Sequence, residues 1–179
     1  MKFQSIILTL PGIGGSGPQH WQSLWEKEYG FIRIEQKEWD TPDRADWIVN
    51  IQNAVSKYDL KDIILVGHSA VCGPMIEWVR QYQTKIKGAL LVAPADAEAA
   101  TFPTGAVGFE PMPLIKLPFP SIVVTSTNDY YVTIDRAIQF AHAWGSELVN
   151  IGEAGHINVS SGFGKWDEGL EILKKLDNH

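Results

Sequence analysis

Short runs of β-branched and aliphatic residues alternate with longer helical patterns along almost the whole chain. Three runs are continuously apolar at their centres, as is typical of strands covered on both faces: 62–67, 88–93 and 120–126. Further strands are predicted at 4–10, 31–35 and 147–151. Helices are predicted at 18–29, 44–58, 70–84, 134–144 and 166–177. This order predicts a three-layer α/β fold with a mostly parallel sheet of about six strands, which binds ligands at the carboxyl ends of the strands.

Length and composition narrow the classes of function. A chain of 179 residues that is 45% hydrophobic and 20% charged is expected to form a single globular domain over 1–179. A net charge of -6 without a cluster of Lys and Arg argues against a nucleic-acid partner. Cys72 is the single cysteine, and the apolar run before Pro11 is too short for a membrane span. We therefore expect a cytoplasmic protein with no membrane partner.

The first predicted strand is followed by the glycine-rich loop PGIGGSGP. Gly12, Gly14 and Gly17 fit G-x-G-x-x-G, and Glu35 closes the next predicted strand, as in a dinucleotide-binding fingerprint. Pro18 argues against that interpretation, because proline prefers the first helical position and so leaves Gly17 outside the helix. A second interpretation is a loop whose backbone N–H groups hold an oxyanion, and a third is a plain flexible loop.

The stretch VGHSAVCG resembles the G-x-S-x-G nucleophile elbow, in which a serine stands on a turn between strand and helix. Ser69 is at the serine position, but Val71 replaces the second glycine. Serine is also a favoured helix N-cap, so this motif alone decides little. A reactive serine needs an imidazole base and a carboxylate that orients it, and in α/β-hydrolases these follow in the order Ser, acid, His.

The best candidate for the base is His156, in the loop GEAGHINVSSG just past the last predicted strand. This position is at the carboxyl edge of the sheet, like that of the serine. The other histidines have simpler interpretations. His20 and His142 fall inside predicted helices, His68 is expected to shape the turn beside the serine, and His179 is terminal.

Two carboxylates compete for the role of the acid. Asp129, in TSTNDYY, follows the strand 120–126, and Asp96, in VAPAD, follows the strand 88–93. We favour Asp129, because its strand lies between those of the nucleophile and the base. There is no H-E-x-x-H motif, and Cys72 lacks a histidine at a ligand-like spacing, so no metal site is expected.

Five stretches resemble the retinoblastoma-binding-protein-9-like (YdeN-like) family of small serine hydrolases: PGIGGSGPQHWQSLWE, VGHSA, LVAPAD, LPFPSIVVTSTNDYYV and WGSELVNIGEAGHINVSSGFGKWDEG. The resemblance covers nearly the whole chain. It implies an α/β-hydrolase fold without a large cap domain, no cofactor, and hydrolysis of ester-like or amide-like substrates. It also implies Ser69, Asp129 and His156 as the catalytic triad. The departure is Val71, where the family usually carries glycine.

These features predict an esterase-type serine hydrolase that acts on a small-molecule ester or amide through an acyl-enzyme. The N–H groups of Ala70 and Ile13 are expected to hold the oxyanion. The alternative is a catalytically weak or inactive hydrolase-fold protein that serves as a binding module, and Val71 is the residue that favours it.

Substrate contacts are predicted for Gly12, Trp39 and Phe109. The apolar segment 99–119 is long enough for one wall of a cleft, or else packs on the sheet. Its candidate contacts are Phe102, Phe109, Met112 and Leu114.

Overall fold

The computed structural model describes all residues, 1–179. Its strands are β1 (Ile6–Leu10), β2 (Ile32–Arg33), β3 (Ile63–His68), β4 (Gly88–Val92), β5 (Ser121–Thr125) and β6 (Glu147–Asn150). Its helices are α1 (Trp21–Tyr29), α2 (Arg44–Val55), α3 (Cys72–Tyr82), α4 (Ile134–Trp144) and α5 (Asp167–Asp177). Every predicted strand and helix is present, with ends that differ by a few residues. None of the helices has the length and apolar character needed to cross a membrane.

The sheet is parallel throughout, in the order β2-β1-β3-β4-β5-β6. Strands β3, β4 and β5 are buried along their whole length, because helices cover both faces of the sheet. Helices α1 and α5 pack on one face with Trp21, Trp25 and Leu173. Helices α2, α3 and α4 pack on the other face with large buried side chains that include Trp47, Trp78, Phe140 and Trp144. The fold is therefore a three-layer α/β sandwich.

The order of the strands reverses between β1 and β3. The chain runs outward from β1 to β2 and then returns past β1 to β3. In open parallel sheets a crevice forms at such a switch point, outside the carboxyl ends of the strands. The loops after β1, β3, β4, β5 and β6 all meet at that edge.

Two helices begin later than the sequence predicts. Helix α1 begins at Trp21 instead of 18, because residues 18–20 form a turn in which the His20 N–H donates to the Gly17 carbonyl at 2.9 Å. His20 is therefore the N-cap of α1, whereas the sequence placed it inside the helix. After β3, residues 69–71 form a 3₁₀ turn before α3 begins at Cys72. Pro74 lies in the first turn of α3, where a missing N–H costs no helical hydrogen bond.

Candidate active site

Ser69 stands at the tip of a sharp turn directly after β3, the strand on the inner side of the switch point. Its φ of 66° lies in the left-handed region, which costs a non-glycine residue about 1–3 kcal/mol. Such strain persists where the surrounding structure enforces it, and it is the hallmark of a nucleophile elbow. The turn places Ser69 at the carboxyl edge of the sheet.

Two glycines, Gly67 and Gly12, allow close packing around this turn. A Cβ placed on Gly67 would overlap the Met75 Sδ and lie 3.3 Å from Val71 Cγ1, so the space beside Gly67 is filled by Met75, with the buried valine at its edge. A Cβ on Gly12 would lie 2.9 Å from the Ser69 Cβ, so the loop after β1 contacts the elbow directly. Gly12 is therefore required for packing of the loop against the elbow.

Ser69, His156 and Asp129 form one chain of hydrogen bonds. The His156 Nε2 lies 2.7 Å from the Ser69 Oγ, and its Nδ1 lies 2.9 and 3.0 Å from the two carboxylate oxygens of Asp129. The carboxylate accepts the Nδ1–H, which leaves Nε2 free to accept the hydroxyl proton of Ser69. The Asp129 side chain is fully buried. The structure thus brings together the three residues that the sequence singled out, in the order Ser, Asp, His.

The acid and the base are held by further contacts. The Tyr131 N–H donates to Asp129 Oδ1 at 2.8 Å, and the His156 N–H donates to Ser161 Oγ at 3.1 Å. The His156 carbonyl accepts the Nε2–H of His68 at 2.9 Å, and the Tyr131 ring meets the His156 ring edge-on at 4.6 Å between centroids. The imidazole is therefore restrained at its ring and at its backbone.

Asp96, the competing carboxylate, makes no hydrogen bond with His156 and pairs with Arg136 instead. It is buried and forms a two-pronged ion pair with Arg136, at 2.7 Å to Nε and 2.9 Å to Nη2. Its backbone N–H donates to the Tyr131 carbonyl at 3.0 Å. Asp96 therefore joins α4 to the loops after β4 and β5, and does not contact the imidazole.

A cavity of about 220 Å³ opens beside Ser69. Four other residues that the sequence assigned to the site line it: Gly12, Ile13, Ala70 and His156. The sequence missed several more, among them His20, Pro103, Tyr131 and Asn158. Asn158 follows His156 by two residues in HINV, and Tyr131 follows Asp129 by two residues in NDYY. This nearness in the sequence was the available signal for both. The cavity is smaller than the roughly 300–1,000 Å³ typical of sites for drug-sized ligands.

The predicted oxyanion donors, the N–H groups of Ala70 and Ile13, both lie next to Gly12. A Cβ on Gly12 would lie 3.3 Å from the Ala70 nitrogen, and Ile13 is the next residue of the loop. The Ile13 N–H donates to no protein acceptor, whereas the next two N–H groups bond to the Trp39 and Gly12 carbonyls at 2.8 and 3.0 Å. The loop therefore presents a free backbone donor beside the elbow.

Trp39 and Phe109, for which the sequence predicts substrate contacts, do not line this cavity. The Trp39 ring packs against Gly15, and its carbonyl anchors the glycine loop. Phe109 is buried against Trp47, at 5.4 Å between ring centroids. Within the segment 99–119, only Pro103 reaches the cavity; Met112 is buried in the core and Leu114 is exposed.

The glycine loop lacks the geometry of a dinucleotide site. In that fingerprint the third glycine lies in a helix whose free N-terminus holds the pyrophosphate. Here Gly17 precedes α1 by several residues, and the His20 side chain already caps the N-terminus of α1. At the start of the loop, Gly12 packs directly against the Ser69 elbow.

Two further histidines extend from His156 in a row, first His68 and then His20. The rings of His20 and His68 lie 4.9 Å apart, and those of His68 and His156 are also 4.9 Å apart. Burial, with the nearby Arg33 and His156, lowers the pKa of His20 to about 4. Burial, together with the neighbouring His156 and His20, holds the pKa of His68 well below its usual range. Both rings are therefore neutral near pH 7, and no positive charge from them opposes a protonated His156.

The serine hydrolase family model matches residues 7–175. The chain is also 35% identical to a YdeN-like hydrolase from Pectobacterium atrosepticum, over 98% of this chain and 91% of that one, with a TM-score of 0.86. The chain belongs to the YdeN-like serine hydrolase family. Hydrolase activity follows from that membership, and Ser69 of this serine hydrolase lies on the expected strand-to-helix turn.

Two more distant structures share the fold of this serine hydrolase. The ydeN gene product of B. subtilis is 15% identical over 98% of this chain and 100% of that one, with a TM-score of 0.82. Esterase 2 of Thermogutta terrifontis is 19% identical over 97% of this chain and 82% of that one, with a TM-score of 0.69. No protein of curated function matches the sequence significantly. The fold is thus that of an α/β-hydrolase.

Proposed function

We propose that this protein is an esterase-type serine hydrolase that cleaves small ester or amide substrates through an acyl-enzyme. The observation that carries the proposal is the continuous hydrogen-bonded chain from Ser69 through His156 to Asp129, with Ser69 in a strained left-handed conformation. A serine that served only as a helix cap would need neither the strain nor an oriented imidazole.

In the proposed reaction the Ser69 Oγ attacks the substrate carbonyl carbon while His156 Nε2 takes the hydroxyl proton. Asp129 stabilises the resulting imidazolium, and the N–H groups of Ile13 and Ala70 donate to the oxyanion. The tetrahedral intermediate then expels the alcohol or amine, which receives the proton from His156. In the second half, His156 activates a water molecule, which attacks the acyl-enzyme and releases the acid and free Ser69.

The size of the cavity supports a small substrate. Its volume of about 220 Å³ is below the roughly 300–1,000 Å³ of sites for drug-sized ligands. The segment 99–119 forms no cap domain and contributes only Pro103 to the cavity wall. We therefore expect short acyl groups to be preferred over long ones.

The sequence left open a binding module without activity, on the strength of Val71. In the structure the Val71 side chain is buried next to Gly67 and leaves the hydrogen bond between Ser69 and His156 intact. No contact of Val71 therefore favours the binding module over the hydrolase.

A fluorophosphonate probe tests the proposal, because only an activated serine reacts with it. Peptide mapping should find the adduct on Ser69, and replacing His156 by Ala should abolish labelling. The exposed His142, replaced by Ala, is the matched control and should leave labelling unchanged. An adduct on Ser16, Ser126 or Ser161 instead would overturn the assignment, and so would an absence of labelling. A panel of chromogenic esters of graded acyl length would then measure the expected preference for short chains.

A further inference from the structure

His20 reaches the cavity of the proposed active site from the loop after β1. The residue is only 6% exposed, yet it lines the cavity together with Ser69 and His156. Its Nδ1 accepts the N–H of Gln22 at 3.2 Å as the cap of α1. Its Nε2 makes no hydrogen bond with the protein. Because Nε2 is open to the cavity, its hydrogen-bond partner is solvent or a ligand there.

The bond to Gln22 fixes the tautomer of His20. A neutral imidazole has one acceptor and one donor nitrogen, so a ring whose Nδ1 accepts must carry its proton on Nε2. The lowered pKa of His20 keeps the ring in this neutral form near pH 7. His20 is therefore a donor toward the cavity and offers it no charge.

The other two imidazoles of the cluster have partners for their N–H groups. The His68 Nε2–H donates to the His156 carbonyl at 2.9 Å, and the His156 Nδ1–H donates to Asp129. The Ser16 hydroxyl, which also lines the cavity, donates to Gln22 Oε1 at 2.6 Å. His20 Nε2–H is thus the one imidazole N–H of the cluster without a protein acceptor.

We propose that the His20 Nε2–H donates a hydrogen bond to an oxygen of the substrate other than the reacting carbonyl. The preferred substrates would then be small esters or amides that carry an ether, hydroxyl or carbonyl oxygen close to the scissile bond. This inference rests on the proposed function. A hydrocarbon analogue of the same size is disfavoured, since it displaces solvent from this donor without replacing the hydrogen bond. His20 acts here as a specificity-determining residue.

The test uses pairs of esters in which one CH₂ group is replaced by oxygen. p-Nitrophenyl methoxyacetate and p-nitrophenyl butanoate differ in the acyl part, and methoxyethyl acetate and butyl acetate differ in the leaving group. For each pair, the ratio of kcat/KM for the ether to that for the hydrocarbon is measured in wild type and in His20→Asn. Asparagine keeps an acceptor for the Gln22 N–H but lacks the distant donor. Intrinsic differences in ester reactivity cancel between the two proteins.

We expect the ether-to-hydrocarbon ratio to fall about tenfold in His20→Asn for one of the two pairs. That pair shows whether the donor faces the acyl group or the leaving group. His20→Ser, which also preserves the cap, should show the same loss and replaces the first variant if that variant fails to fold. The exposed His142→Asn is the control and should leave both ratios unchanged.

Unchanged ratios for both pairs in a folded His20 variant would overturn the inference. Fluorophosphonate labelling separates that failure from a failure of the proposed function. If wild-type Ser69 is labelled and the ratios do not change, only the role of His20 is wrong. If Ser69 is not labelled, the proposed function itself fails.

Discussion

Val71 is a residue for which sequence and structure predict different consequences. The sequence predicts crowding between Val71 and the sheet, because the family usually carries glycine at this position. In the structure the valine side chain is fully buried, and its Cγ1 lies beside Gly67, which has no side chain to crowd it. Ser69 nevertheless keeps its left-handed conformation and its hydrogen bond to His156. Val71 is thus a core residue behind the elbow.

Replacing Val71 by Gly should therefore lower stability and change catalysis little. Loss of a buried valine and the added backbone freedom of glycine together cost about 2–4 kcal/mol of unfolding free energy. We expect kcat/KM for a reactive ester to stay within about tenfold of wild type. Thermal melts and ester kinetics on both proteins measure the two effects. A drop of more than about 100-fold in kcat/KM with unchanged melting would show that Val71 sets the geometry of the elbow.

Asp129 and Asp96 are both buried carboxylates, but we expect them to act on different properties. Asp129→Asn should lower kcat/KM by roughly 10⁴, the effect seen when the acid of a Ser-His-Asp protease is replaced, because the wrong imidazole tautomer is held. Asp96→Asn is the matched control. It weakens the ion pair to Arg136, so it should lower the melting temperature and leave kcat/KM within about tenfold. The opposite pattern would identify Asp96 as the acid.

At the scale of elements, helix α1 anchors the glycine loop to the sheet through one buried side chain. The Gln22 Nε2 donates to the Leu10 and Val66 carbonyls at 3.1 Å each, which bridges the ends of β1 and β3. Its Oε1 accepts the Ser16 hydroxyl, and Arg33 donates to the Ser16 carbonyl at 3.0 Å. These hydrogen bonds hold the loop that presents the Ile13 N–H against the ends of β1 and β3.

Gln22→Leu should loosen this loop. The unpaired partners cost about 1–3 kcal/mol of unfolding free energy, and we expect kcat to fall more than KM rises, because the oxyanion donor is displaced. Gln52→Leu is the control: Gln52 accepts the Trp78 indole N–H at 2.9 Å, away from the site. That variant should lose stability with kcat unchanged. Equal kcat in the two variants would show that Gln22 acts only on stability.

At the scale of the whole molecule, the buried histidines make stability depend on pH. The pKa of His20 and that of His68 lie below the ordinary 6.5 in the fold, so the unfolded chain takes up protons first. Both contributions are complete above about pH 6.5 and decrease below it, and that of His20 is lost as the pH falls toward 4. Each histidine contributes a slope of up to about 1.4 kcal/mol per pH unit in that window.

Urea unfolding at a series of pH values between about 7 and 5 measures this slope. The pKa of Asp177 is lowered to about 2 from an ordinary 3.8. The contribution of that carboxylate to stability therefore changes only below this pH range. His20→Asn should reduce the slope, and replacement of the exposed His142 should not. Stability that is constant from about pH 7 to pH 5 would contradict the prediction.

The sequence by itself determined the elements and the order of the reactive residues. Continuous apolar runs predict strands such as β3 and β4 because a central parallel strand must be apolar on both faces. Parallel strands end at one edge, so Ser69, Asp129 and His156 were predicted to lie there together, and the structure places them within hydrogen-bond distance.

The tertiary structure alone decided which loop side chains enter the cavity. Trp39 was expected to contact substrate, but its carbonyl binds the Gly14 N–H and its ring packs on Gly15. His20 was assigned to a helix, but it caps α1 and lines the cavity. The physical reason is that local apolar patterns fix strands and helices, whereas the direction of a loop side chain depends on hydrogen bonds to residues distant in the chain.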